Sequence, residues 1–271
     1  IIIGNKNYTG GVPPVAYADR DMEAMKKAAT DVFAIPPSNV ITVPDAEFAR
    51  LRELFGDPRA PHPRPDSQLE RLMQRETRRV LVFYSGHGVP VISEGRSTQY
   101  ILPVRANPLA AALSGYSVDD LIASVRNALN KASPEAQAFI VIDACFSGTS
   151  DGGTLVPGTS QGGVVPMPAV TQRQDRIVLA FASSDLDVAH WDHARKHGLF
   201  TDALLSGIYG AADVPGPAGI GNGDRVISIA EMQSFTAQRM ITRLRTIHPD
   251  KIIIQRPQFT GPPNAVLASY A

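Results

Sequence analysis

The chain has 271 residues with 26 basic and 26 acidic side chains, 44% hydrophobic residues and a single cysteine. That length and apolar content allow one large domain or two small ones with a sizeable core, while balanced and scattered charge gives no purchase to nucleic acid or an anionic membrane surface. No apolar run approaches a bilayer span and no signal peptide is visible, and one cysteine cannot close an internal disulfide.

Ile1 to Ile3 reads as a short strand broken at Gly4, followed by a turn-rich loop through Pro14. Met22, Met25, Ala29 and Phe33 recur at helical spacing, and acidic residues crowd the first turn, so a helix is expected from Asp19 to Phe33. Asn39 to Val43 predicts a second strand. Asp45 is placed to cap a short helix carrying Phe48, Leu51 and Leu54, which Gly56 ends. After a loop from Pro58 to Pro65, Asp66 is expected to cap a helix with Leu69, Leu72 and Met73 inward, running into a strand from Val80 to Tyr84. Gln99 to Pro103 predicts a short strand, and Ser117 to Asp120 a capping box opening a helix through Leu121, Val125 and Leu129. Strands are expected at Phe139 to Ile142 and Arg176 to Ala182, a helix from Leu199 to Ala212, a boxed helix from Ser228 to about Arg245, and a last strand at Ile252 to Ile254. This alternation implies a mainly parallel sheet with helices on both faces.

Two of these strands end in chemistry. Phe139-Ile-Val-Ile-Asp-Ala-Cys-Phe-Ser-Gly148 stops at the only cysteine, and Arg79-Val-Leu-Val-Phe-Tyr-Ser-Gly-His-Gly88 delivers His87. Carboxyl ends of parallel strands are where open α/β sheets keep their sites. Cys145 and His87 are therefore read as a nucleophile and base pair, with backbone N–H groups of Gly88 and Cys145 as the oxyanion hole. The blander reading is a small buried cysteine and a turn histidine.

Tyr84-Ser-Gly-His-Gly88 followed by Asp143-Ala-Cys-Phe-Ser-Gly148 resembles the His and Cys motifs of caspase-fold peptidases, in particular the bacterial metacaspase-like (orthocaspase) branch. Supporting pieces are Ile2 to Tyr8, Asp19 to Met25, Tyr100-Ile-Leu-Pro103 and His197-Gly-Leu-Phe-Thr201, so the resemblance spans nearly the whole chain. It implies an α/β caspase-like fold with a six-stranded, mainly parallel sheet, formed as one domain over 1–271. Within it, 1–147 is large-subunit-like, 148–175 a mobile loop rich in Gly, Pro, Ser and Thr, and 176–271 small-subunit-like. It also implies a cysteine endopeptidase acting on protein or peptide substrates.

Charge sharpens the substrate. Asp143 lies two residues before the thiol, so in a strand both side chains point the same way. A carboxylate there hinders a thiolate unless it faces a substrate cation, which predicts cleavage after Arg or Lys. The resemblance adds Asp21 and Ser85 to that pocket, with Asp19 as the rival of Asp21. The blander reading makes Asp143 the acceptor of a backbone turn and Asp21 a helix first-turn acid.

No cofactor is required. Calcium is compatible with the acidic pair Asp119-Asp120 that the resemblance points to, but Gly152 stands where an aspartate is expected, and calcium is not predicted. His190, His193 and His197 with Asp192 have helical spacing for zinc without any paired-Cys or His-Glu signature, and Asn222, Asp224, Ile227 and Glu231 make a poor EF-hand with Ile220 and Arg225 at key positions. Arg173 and Arg176 are candidate self-cleavage sites. The alternative to a peptidase is a catalytically silent caspase-like module regulating a longer protein. A cytoplasmic setting is favoured, with export open if a leader precedes Ile1; neither natural substrate nor oligomeric state is legible.

Overall fold

Parallel strands buried on both faces read as unbroken apolar runs, and those runs form the centre of the molecule. The computed structural model describes residues 1–57, 60, 66–147, 149–150, 153–155, 176–184, 187–216, 220–262 and 265–270. The strands are β1 (Ile2–Gly4), β2 (Thr42–Pro44), β3 (Arg79–Ser85), β4 (Gly88–Ser93), β5 (Arg96–Ile101), β6 (Tyr116–Ser117), β7 (Gln137–Asp143), β8 (Thr149–Ser150), β9 (Gly153–Thr154), β10 (Ile177–Phe181), β11 (Trp191–Asp192), β12 (His197–Gly198), β13 (Val226–Ser228), β14 (Gln258–Thr260) and β15 (Val266–Ser269). The helices are α1 (Ala18–Asp31), α2 (Phe48–Phe55), α3 (Gln68–Leu72), α4 (Ala111–Ser114), α5 (Val118–Leu129), α6 (Leu199–Ser206) and α7 (Ile229–Ile247). None of these helices is long and apolar enough to cross a membrane.

Six strands make the central sheet in the order β14-β10-β7-β3-β1-β2. All neighbours are parallel except the edge pair β10 and β14. Alternate residues feed two cores. Leu81, Phe83, Phe139, Val141, Val178 and Ala180 pack under α1, α6 and α7, while Val80, Val82, Tyr84, Ile140, Ile142 and Leu179 pack under α2, α3 and α5. This is the caspase-like α/β architecture that the motifs imply. Beside it, β4, β5 and β6 form a small antiparallel sheet over Val89, Leu102 and Ala111.

Several local expectations are corrected. Asp45 does not cap α2: its carboxylate accepts the N–H groups of Lys6 and Asn7, tying down the loop after β1. Ser67, not Asp66, caps α3, in a reciprocal box with Glu70, and Leu72 points to solvent. The second strand starts at Thr42 because Pro37–Asn39 forms a 3₁₀ turn. Ser117 accepts the Asp120 N–H as expected, without the reciprocal bond. The helix from Leu199 ends at Ser206, and the turn beyond it kinks at Tyr209 and Gly210, where a positive φ of 108° suits only glycine. Ile252 to Ile254 is no strand; Ile252 is 95% exposed. The final strands are instead β14 and β15, which put Phe259 and Leu267 inside. The box Ser228/Glu231 opening α7 is present in full. Most of 58–65 and of the 148–175 loop, Arg173 and Gly152 included, lies outside the described residues.

Candidate active site

Register brings the two motifs together. Along β3 and β7, Ser85 pairs with Asp143, and the Gly86 N–H extends the pairing by donating to Asp143 O at 3.1 Å. His87 and Cys145 each follow two residues later, on adjacent strand ends, and both line one cleft with Asp21, Ser85, Asp143, Ala189, Trp191 and Gly198. Phe146 locks the two turns to each other. A Cβ on Gly88 would lie 2.6 Å from the Phe146 ring, so only glycine fits there.

His87 is 2% exposed and its Nε2 lies 2.7 Å from Pro13 O. A carbonyl only accepts, so Nε2 carries the proton and Nδ1 is left as the base. Burial lowers the imidazole pKa to about 4 despite the Pro13 bond, which keeps the ring neutral at neutral pH. Cys145 is 4% exposed, and its Sγ accepts the Ala189 N–H at 2.8 Å. The segment through Ala189 is held from both sides: the His190 N–H donates to the Gln255 side chain, and Arg256 pairs with Asp187.

Two buried carboxylates close the other end of the cleft. Asp21, in the first turn of α1, accepts from His197 Nδ1 at 2.7 Å, from Ser85 Oγ at 3.2 Å and from the Gly198 N–H. Asp143 accepts from the Thr201 hydroxyl at 2.5 Å and from its N–H at 3.3 Å. Burial first, and the neighbouring Asp21 charge second, raise Asp143 to about 7, outweighing the Thr201 bonds. Burial also pushes Asp21 up, while its hydrogen bond raises His197. Asp21 and His197 thus form one hydrogen-bonded pair beside Asp143, and the charge of Asp21 is felt at Asp143. Asp19, the rival of Asp21, faces outward and pairs with Lys6.

Gly198 sits against both acids. A Cβ there would be 2.4 Å from Asp143 Oδ2 and 3.1 Å from Asp21 Oδ2. Gly198→Ala is thus expected to displace both carboxylates and to raise KM for a peptide substrate, while iodoacetamide still reaches Cys145 at the parental rate. Steady-state kinetics beside thiol labelling checks it.

Residues that strand-end logic missed are Pro13, Ala189, Thr201 and His197 in its role at Asp21. Pro13 and Ala189 act through backbone atoms and leave no side-chain signal. The motif His197-Gly-Leu-Phe-Thr201 was visible, but its meaning depended on α6 docking beside α1. The segment carrying His190, Asp192, His193 and His197 folds around the hairpin β11–β12, and Asp192 is taken by Arg243. Among the described residues no three His, Cys, Asp or Glu side chains converge to hold a metal. Arg176 is tied to Ser133 O, Pro134 O and Asn130.

Residues 1–215 match the family model described as the caspase domain, a peptidase family. The chain belongs to the caspase-domain family. No curated protein matches it. Among solved structures, caspase-1 from Spodoptera frugiperda is similar at 14% identity and a TM-score of 0.59, covering 96% of this chain and 84% of that one. A second, pro-sf-caspase-1, aligns at 14% identity with a TM-score of 0.57, over 96% of this chain and 85% of that one. At such identity the likeness speaks for the fold, so the caspase-domain assignment rests on the sequence match and the site on its own geometry.

Proposed function

We propose that this caspase domain is a cysteine endopeptidase of the metacaspase-like branch that cleaves after Arg or Lys. The observation that carries the reading is one cleft holding a thiol, an imidazole whose Nε2 is committed to Pro13 O so that Nδ1 is the basic nitrogen, and a buried carboxylate. His87 Nδ1 takes the thiol proton and Cys145 Sγ attacks the scissile carbonyl carbon. The oxyanion is received by the N–H groups of Gly88 and Cys145. The C–N bond breaks, His87 returns the proton to the leaving amine, and water hydrolyses the thioester. The carboxylates of Asp143 and Asp21 match one guanidinium or ammonium of the residue before the scissile bond, with Ser85 Oγ as a further polar contact. The chemistry draws on no cofactor. The unit acts as one domain over 1–271, with large- and small-subunit-like parts joined by the 148–175 segment.

A panel of fluorogenic peptides ending in Arg, Lys or Asp tests this, with and without calcium. Hydrolysis after Arg and Lys is expected; cleavage after Asp alone would remove the pocket and leave the dyad. One observation favours the second reading, a silent regulatory module: Cys145 and His87 are nearly fully buried, with Ala189 against Sγ. No hydrolysis in the panel together with no labelling of Cys145 by an electrophile would sink the peptidase reading and favour the module.

A further inference from the structure

His87 is gripped by two phenols that the reaction written above does not use. Its backbone N–H donates to Tyr8 Oη at 2.8 Å, and its carbonyl accepts from Tyr84 Oη at 2.7 Å and from the Leu102 N–H at 3.0 Å. The two hydroxyls lie 3.1 Å apart, and Leu102 O is 3.1 Å from Tyr8 Oη and 3.0 Å from Tyr84 Oη. Every proton in this ring has an acceptor. Burial holds both phenols above their ordinary range, so they stay neutral and keep those roles. The fit is tight, since a Cβ on Gly86 would come within 2.5 Å of Tyr84 Oη and 2.7 Å of Tyr8 Oη.

Tyr8 touches the imidazole as well. Its ring centroid is 4.6 Å from that of His87, tilted by 52°. It comes from the loop between β1 and α1, the same loop that presents Pro13 O to Nε2. That loop has further anchors: buried Asn5 accepts the Ala46 N–H and donates to Leu102 O, and Asp45 accepts from Lys6 and Asn7. One loop therefore fixes the peptide, the ring face and the tautomer of a histidine that belongs to another strand.

We propose that Tyr8 is a positioning residue of the dyad, its hydroxyl fixing the His87 peptide and its ring fixing the imidazole so that Nδ1 is presented to Cys145. The inference rests on the dyad reading above. The physical reason is leverage: the aim of a ring nitrogen follows from the backbone and two torsions, and a misplacement of about 1 Å can cost roughly a hundredfold in rate.

Tyr8→Phe keeps the ring and removes the acceptor, and Tyr84→Phe removes the donor to His87 O at nearly constant volume. Tyr84→Phe loosens the same peptide from its carbonyl side and leaves Tyr8 in place as the comparison; if Tyr8→Phe fails to fold, Tyr8→Met takes its place in the same measurements. The readings are kcat and KM on an Arg peptide, the thermal midpoint, and the pH dependence of Cys145 alkylation by iodoacetamide, with His87→Ala as reference. Tyr8→Phe is expected to lower kcat roughly ten- to a hundredfold, with KM within about twofold of the parent, and to move the alkylation profile toward that of His87→Ala. A purely structural tyrosine would lower the thermal midpoint and leave that profile in place; this outcome overturns the proposal, as does parental kcat in both variants. If the parent cleaves no peptide, the peptidase reading fails separately, and the three alkylation profiles still decide the role of Tyr8: parent and His87→Ala profiles that coincide would overturn it.

Discussion

Cys145→Ala is expected to eliminate hydrolysis of an Arg peptide, and His87→Ala to lower kcat by a factor on the order of 10⁴ or more, because nucleophile and base act as one unit. The double variant should be no worse than Cys145→Ala. Thiol and imidazole sit two residues beyond the registered pair Ser85 and Asp143, so neither substitution disturbs the pairing that builds the sheet. Far-UV circular dichroism should therefore match the parent in both. Burst kinetics with an ester substrate separates the roles, since His87→Ala retains a slow acylation that Cys145→Ala lacks. A Cys145→Ala form that still turned over substrate would remove the thiol from the mechanism.

Asp143→Asn should cost less, and only for basic substrates. Leaving a substrate cation in a buried pocket without its carboxylate costs about 2–5 kcal/mol, or roughly thirtyfold to several thousandfold in kcat/KM. Thr201 can still donate to the amide oxygen, so the change is one of charge more than of shape. The pH dependence carries the same signature. Asp143 titrates at about 7 while His87 titrates at about 4, so the acid limb of kcat/KM on an Arg peptide belongs to the pocket, not the base. Below about pH 7 the carboxylate takes up a proton and kcat/KM should fall up to tenfold per pH unit, whereas Asp143→Asn should show no limb in that window.

Stability should run the opposite way. An unfolded Asp titrates near 3.9, and Asp143 is raised in the fold. Between those values the folded state holds the extra proton, so the contribution of this group to stability falls as pH rises through the window. The substrate-free Asp143→Asn protein is expected to melt above the parent at pH 8 and level with it near pH 4. A scanning calorimetry series decides this, and a parent as stable as the variant at pH 8 would show that the carboxylate is already neutralised.

The sequence by itself determined the central sheet and the nature of the site. Apolar runs at Val80 to Tyr84, Phe139 to Ile142 and Ile177 to Phe181 have one stable use, strands buried on both faces, and a run that stops at Gly or Cys announces where its end lies. That logic put His87 and Cys145 on one rim. Local signals mislead where they compete: Asp45 reads as a cap but is taken by the N–H groups of the loop after β1, and the box with Glu70 goes to Ser67 in place of Asp66. Ile252 to Ile254 has strand composition, but Ile252 and Ile254 face solvent and only Ile253 packs against the core.

What only the tertiary structure decided is how the dyad and pocket are held. The acceptor for Nε2 is a proline carbonyl from 74 positions earlier, and the amide on Sγ comes from 44 positions later. Backbone groups carry no residue signature, so no spacing could have announced them. Asp21 and Asp143 were legible as acids near a strand end, yet their raised affinity for protons arises from burial against each other across α1, β7 and α6. Sequence fixes which groups are present; desolvation and neighbouring charge, which exist only after packing, fix what those groups do.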